Sequence, residues 1–163
     1  MDSLASVRFA RPGDWPAVAG LLVELGRGVA KGTADDATHT IQFAGHLRRL
    51  EVVTLVAELG NDVVGVLDME YHQRLGDHRP QARVHDLVVA EAVRGRGIGE
   101  LLLSRAEKLA RKRGCFRMAL VTAAWRDRTH SFYRARGWSD YGVWFLKQLT
   151  DEIQPSGQPI DDT

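Results

Sequence analysis

Residues 87–103, Leu87-Val88-Val89-Ala90-Glu91-Ala92-Val93-Arg94-Gly95-Arg96-Gly97-Ile98-Gly99-Glu100-Leu101-Leu102-Leu103, run from an apolar strand through three alternating glycines into a helix. A strand that turns on glycine into a helix presents backbone N–H groups at the positive end of the helix dipole, and so makes an anion cradle. Glycine is needed because a Cβ would block the approach of phosphate oxygens and would resist positive φ. Two familiar nucleotide loops fail on specific positions. A dinucleotide fingerprint needs glycine where this chain has Glu100, and an acidic residue ending the next strand, which Arg117 to Ala123 lacks. A Walker loop needs Gly-Lys-Ser/Thr, which is absent.

Downstream of the glycines the pattern reads helix (about 97 to 113), strand (Arg117 to Ala123), helix (about 127 to 136) and strand (Val143 to Leu149). Upstream lie three strands, Val52 to Leu59, Val63 to Tyr71 and Arg83 to Ala90, the first two joined at Gly60-Asn61 as an antiparallel hairpin. The polar stretch Arg74 to Gln81 reads as a surface loop. The chain opens with a short strand over 6 to 10 and two helices. In the first, Asp14 is placed to cap and Val18, Leu21, Leu22 and Leu25 form one face; in the second, Ile41, Ala44, Leu47 and Leu50 do. Such alternation predicts α/β layering around a parallel or mixed sheet.

The length of 163 residues, 44% of them hydrophobic and 26% charged, fits one folded domain over 1–150 and excludes disorder as the main state. The stretch 151–163, with Pro155, Gly157 and Pro159, reads as a flexible tail. Cys115 stands alone, so no disulfide framework is available and a reducing compartment is expected. Met1-Asp2-Ser3-Leu4 lacks the basic and apolar regions of a secretion signal, and no apolar run approaches the roughly 18 residues of a membrane span. A cytoplasmic location follows as the expectation. Net charge is only +1, but 1–93 carries net −4 and 94–163 net +5, so the second half suits an anionic ligand.

The pattern Arg94-x-x-Gly97-x-Gly99 resembles the acetyl-CoA pyrophosphate loop of the GNAT acetyltransferase superfamily. A second stretch, Ser131-Phe132-Tyr133-Arg134-Ala135-Arg136-Gly137-Trp138, is similar to the signature that closes the last helix of that family. Between the two lie one strand and one helix, as that fold requires. The run Trp125 to Tyr133 and the ending Trp144 to Leu149 resemble the branch containing aminoalkylphosphonate acetyltransferases. The resemblance covers about 6–149 and implies a mixed central sheet of six to seven strands flanked by about four helices. It also implies acetyl-CoA as co-substrate and direct transfer of acetyl to a primary amine of a small molecule. Acetylation of a protein or peptide amine, or acyl-CoA binding without turnover, are the alternatives.

On this reading the loop residues Arg94, Gly95, Arg96, Gly97, Ile98 and Gly99 hold the cofactor, and the strand end Val88, Val89 and Ala90 offers N–H groups to the developing oxyanion. Arg126 stands where family members commonly carry a cofactor-holding Asn, and Thr129 where they often carry Ala. Tyr133 is the expected proton donor to the CoA thiolate, because a phenol is protonated at neutral pH. Three groups compete to accept the proton of the amine: His85, with the better intrinsic pKa; Asp86, at a position often acidic in the superfamily; and Glu70 on the preceding strand; a water chain with no single base is the alternative. Strand alternation sends His85 and Asp86 to opposite faces unless a bulge intervenes.

Cys115, with no histidine motif beside it, reads as a small buried residue rather than a nucleophile. His39, His46, His72, His78 and His130 lack metal-ligand spacing, so no metal site is expected and they read as scattered surface residues. The basic run Arg105, Lys108, Arg111, Lys112, Arg113 and Arg117 is interrupted by Glu107 and backed by Leu101, Leu102, Ala106 and Leu109. It reads as the solvated face of a packed helix rather than a nucleic-acid surface. Expected partners are therefore acetyl-CoA and a small amine, without nucleic acid or membrane, and assembly as a homodimer stays open.

Overall fold

The computed structural model describes residues 4–27, 37–123 and 126–143, and residues 145, 147 and 149. The chain divides into two compact units, Met1–Leu120 and Val121–Thr163.

The first unit is a five-stranded mixed sheet in sequence order: β1 (Ser6–Phe9), β2 (Val52–Leu59), β3 (Asp62–His72), β4 (Gln81–Val89) and β5 (Met118–Leu120). The first three pairings are antiparallel and β4 with β5 is parallel. The β2–β3 turn closes at Leu59 opposite Asp62, with Gly60 at φ 66° where a side chain would be strained. The helices are α1 (Trp15–Glu24), α2 (Ala37–Leu47) and α3 (Ile98–Lys112).

Alternation along β2 and β3 divides the core between the two sheet faces. Val56 and Val66 pack with Trp15, Val18, Ala19, Leu21 and Phe43 on the side of α1 and α2. The other side receives α3, which buries Ile98, Leu102, Leu103, Ala106 and Ala110. At Gly65 on β3 a Cβ would meet Leu102 Cδ1 at 3.1 Å, the Val88 carbonyl oxygen at 3.3 Å and Ile98 Cγ2 at 3.4 Å. This close approach fixes where the first turn of α3 leaves the end of β4. Gly65→Val is expected to destabilise the fold by about 1–3 kcal/mol through overpacking, read as a lower urea midpoint at unchanged m-value.

Several expectations are corrected. The sheet has five strands among the described residues instead of six to seven. Of the expected strand 143–149, the described residues 143, 145, 147 and 149 are in no strand; Val143, Phe145 and Leu149 are at least 81% exposed, so no sheet covers them. The tail 151–163 lies outside the described residues. In α3 the buried face takes Leu103 and leaves Leu101 exposed. In α2 the inner residue is Phe43 at 7% exposure, whereas Ile41 is 70% exposed and Leu50 lies beyond the helix at 89%. Asp14 precedes α1 but does not cap it with its side chain: its carboxylate accepts from Arg8 at 2.7 and 2.8 Å and from the Arg11 N–H at 2.7 Å. That pairing holds its pKa below the ordinary carboxylate value. No helix among the described residues is long and apolar enough to cross a membrane.

The second unit contains α4 (Asp127–Arg134). Its C-terminal turn explains the spacing of the Tyr133 motif. Gly137, at φ 81°, adopts the left-handed conformation that ends a helix, its N–H bonding back to Arg134 O (3.1 Å) and the Trp138 N–H to Tyr133 O (3.2 Å). The Trp138 and Tyr133 rings meet at 5.6 Å, the apolar contact that accompanies this cap.

Candidate active site

β4 carries the glycine loop at its C-terminal end. Beyond β4, Gly95 (φ 79°) and Gly97 (φ 80°) turn the chain into α3, and a Cβ on either would meet nothing within 4 Å. The left-handed backbone therefore selects glycine, and the space where a Cβ would stand is open. Gly97 occupies the N-cap position and brings no side chain to satisfy the first amides of α3. Ile98 is buried, so it anchors the helix and offers a ligand only its backbone. Arg96 is exposed, whereas Arg94 folds back: its Nε donates to Val89 O (3.0 Å) and its Nη2 lies 3.5 Å from Glu24. Arg94 thus braces the loop from behind.

β5 pairs with β4 only from Ala82 to Val84, which leaves the outer edge of Leu87–Val89 without a ladder partner among the described residues. The Ala90 N–H is taken by Val64 O at 2.8 Å. By alternation the Val88 N–H also turns toward β3, so of the three candidate donors Val89 directs its N–H to the open edge.

The register between β3 and β4 slips where Asp68 faces Asp86 but Met69 faces Val84. His85 is the extra residue of a bulge, which removes the alternation that would have parted it from Asp86. His85 Nε2 lies 3.6 Å from Glu70 Oε2, which also faces Arg49 at 3.7 Å. Asp86 Oδ1 accepts from Arg27 Nε at 2.8 Å and lies 2.6 Å from Arg27 Nη2.

Asp86 opens into a cleft of about 290 Å³ on the α1 and α2 side of the sheet. Trp15, Val18, Leu22 and Phe43 form apolar walls, with Thr54, Val66 and Asp68 also lining it. His39 lies parallel to Trp15 at 6.1 Å. His46 reaches in from α2, its Nε2 2.9 Å from Asp68 Oδ1, and the Thr54 hydroxyl donates to the same oxygen at 2.6 Å. His46, Asp68 and Thr54 were missed in the sequence, where His46 reads as a surface residue. Among the described residues no cluster of three His, Cys, Asp or Glu is placed to hold a metal.

Tyr133 and Arg126 belong to the second unit. Arg126 immediately precedes α4, and its N–H bonds to Ala123 O at 3.1 Å. Tyr133 is packed edge-on against Phe132 at 5.2 Å, and burial pushes its phenol up to about 12. Cys115 follows α3, and burial raises its thiol above the ordinary value, outweighing the opposing effect of Arg113. A thiolate there is scarce at neutral pH.

Residues 22–138 match the acetyltransferase (GNAT) family. The aminoalkylphosphonate N-acetyltransferase of Salmonella typhimurium is 29% identical over 146 residues, covering 90% of this chain and 92% of that one. A chain of Agrobacterium tumefaciens str. C58 assigned as an acetyltransferase superposes with a TM-score of 0.79 at 27% identity, over 88% of this chain and 99% of its own. An aminoglycoside N-acetyltransferase in complex with CoA shares the fold with a TM-score of 0.75 at 20% identity, over 92% of this chain and 98% of its own. With two-thirds of its length in the family match and a mixed sheet ending in the glycine turn, this chain belongs to the GNAT acetyltransferase family.

Proposed function

We propose that this chain moves the acetyl group of acetyl-CoA directly to a primary amine of a small molecule, as a single domain over 1–150. The observation that carries the reading is the end of β4, where a strand edge with no ladder partner among the described residues runs straight into a glycine turn at a helix N-terminus. The pyrophosphate of CoA fits that turn, held by the amides of 95–99 with Arg96 beside it and Arg94 bracing from behind. The pantetheine arm continues along Val88 and Val89, and the Val89 N–H polarises the thioester carbonyl. Arg126 is assigned to the cofactor from its place in the family's motif.

The amine enters from the cleft on the α1 and α2 side and attacks the thioester carbon. Tyr133 then serves the departing sulfur. A phenol pushed up to about 12 holds its proton more tightly than a thiol does, so net proton transfer to the thiolate would be uphill. Tyr133 therefore acts first as a hydrogen-bond donor to the developing thiolate. A covalent detour through Cys115 is disfavoured by its raised pKa. The small-amine class follows the similar proteins, whose names give aminoalkylphosphonate and aminoglycoside substrates.

Thiol release from acetyl-CoA, followed across a panel of aminoalkylphosphonates, aminoglycosides and arylalkylamines, tests the reading. At least one amine is expected to give saturable, amine-dependent release. Release that ignores every amine would contradict it.

A further inference from the structure

Asp86 is engaged by two nitrogens of Arg27, and His85, beside Glu70, is not among the residues that line the cleft. A different pair is better placed for proton transfer. We propose that the amine gives its proton to His46 Nδ1, with Asp68 as the positioning residue that orients the ring; this rests on the acetyltransferase reading above.

A carboxylate only accepts hydrogen bonds, so contact with Asp68 Oδ1 assigns the proton of neutral His46 to Nε2 and leaves the Nδ1 lone pair free to act as base. The Thr54 hydroxyl, itself buried, donates to the same oxygen and fixes the carboxylate from the other side. The arrangement is the base-and-orienter logic of catalytic triads, built from a helix and two strands. His46 keeps 34% of its side chain exposed while lining the cleft, so a substrate can reach it.

Position along the sheet supports the choice. Val66 faces Val88 and Asp68 faces Asp86, so Asp68 lies one same-face step, about 7 Å, from the strand end assigned to the thioester. Glu70 and His85 lie farther along. The titratable groups that line the cleft with His46 are His39 on α2, Asp68 on β3 and Asp86 on β4; Arg27 pairs with Asp86, and Glu70 stands between His85 and Arg49 on neighbouring positions.

The neutral amine lone pair forms the C–N bond at the thioester carbon, and the nitrogen becomes positively charged. His46 Nδ1 takes one proton from that nitrogen, the C–S bond breaks, and the electron pair leaves on sulfur. The imidazolium then returns its proton through solvent to the thiolate, giving amide and free CoA. A free alkylammonium is a much weaker acid than an imidazolium, so the transfer belongs after attack, when the nitrogen is far more acidic.

The test uses the full chain with acetyl-CoA and whichever of 2-phenylethylamine and 2-aminoethylphosphonate it acetylates faster, or the best amine of the panel. His46→Gln is expected to lower kcat about 10²-fold with acetyl-CoA binding by calorimetry unchanged. Log kcat/KM should rise with slope two at acid pH in the wild type, from base and amine together, and with slope one in His46→Gln. In His46→Ala, added imidazole should restore part of the rate, and Asp68→Asn should shift the acid limb while leaving KM for acetyl-CoA in place. A folded His46→Gln with a rate within twofold of wild type, or with an unchanged slope-two profile, overturns the inference while the acetyltransferase reading stands. If the variant does not fold, absence of imidazole rescue in His46→Ala overturns it. Absence of acetylation with every amine overturns the functional reading, and this inference with it.

Discussion

Gly97→Glu is expected to weaken CoA binding by about 10²- to 10³-fold in a protein that still folds. Two effects act at this position. The backbone there has φ 80°, so any L side chain costs about 1–3 kcal/mol of stability, but a Cβ meets nothing within 4 Å and causes no clash. The new carboxylate would stand at the N-terminus of α3, where the pyrophosphate is proposed to bind. Two like charges about 4 Å apart at an effective dielectric near 20 repel by about 4 kcal/mol, which is roughly 10³-fold in affinity. Gly97→Ala separates the contributions, since it keeps the backbone strain and omits the charge. Calorimetry with CoA, alongside a thermal melt, reads both variants. Unchanged affinity in folded Gly97→Glu would remove the pyrophosphate from this turn.

Tyr133→Phe is expected to lower kcat by about 10- to 10³-fold with acetyl-CoA affinity nearly unchanged. The ring contacts to Phe132 and Trp138 survive the change, as does the glycine cap, which uses backbone atoms. What is lost is the hydroxyl alone. Burial disfavours the phenolate, so the folded pKa lies near 12 against an ordinary value of 10. The folded state thus holds this proton more tightly than the unfolded chain does. The corresponding stability is fully present below pH 10 and fades as pH rises toward 12. The wild-type rate should accordingly show no loss assignable to Tyr133 below about pH 10. A Phe variant that turns over its best amine at the wild-type rate would take Tyr133 out of the chemistry.

The glycine turn and the Tyr133 motif were legible because each is written in backbone conformation. Gly95, Gly97 and Gly137 stand at left-handed positions, and Trp138 at the residue that closes on Tyr133. The four sheet strands of the N-terminal half were equally legible, their apolar runs being long and bounded by turn residues. The bulge at His85 was not, because a register slip depends on the partner strand and leaves no local mark. The same blindness hid His46. Taking Ile41, Ala44 and Leu47 as the inner stripe of α2 turns the helix to its aliphatic side, whereas Phe43 is the buried residue and His39 and His46 share its face over the cleft. A helix whose working face is aromatic and imidazole carries a weak apolar signal. Histidines at i and i+7 with Phe43 at i+4 would have pointed to that face. The sixth strand was overpredicted from apolar residues that the described structure leaves exposed.

Direct transfer is tested most plainly by incubating the protein with isotopically labelled acetyl-CoA and its best amine, then weighing both product and intact protein by mass spectrometry. The account predicts one labelled acetyl group on the amine nitrogen, an equal amount of free CoA thiol, and no mass gain on the chain at any time, Cys115 included. Label retained on the protein during turnover would contradict direct attack, and label that never reaches an amine would contradict the function itself.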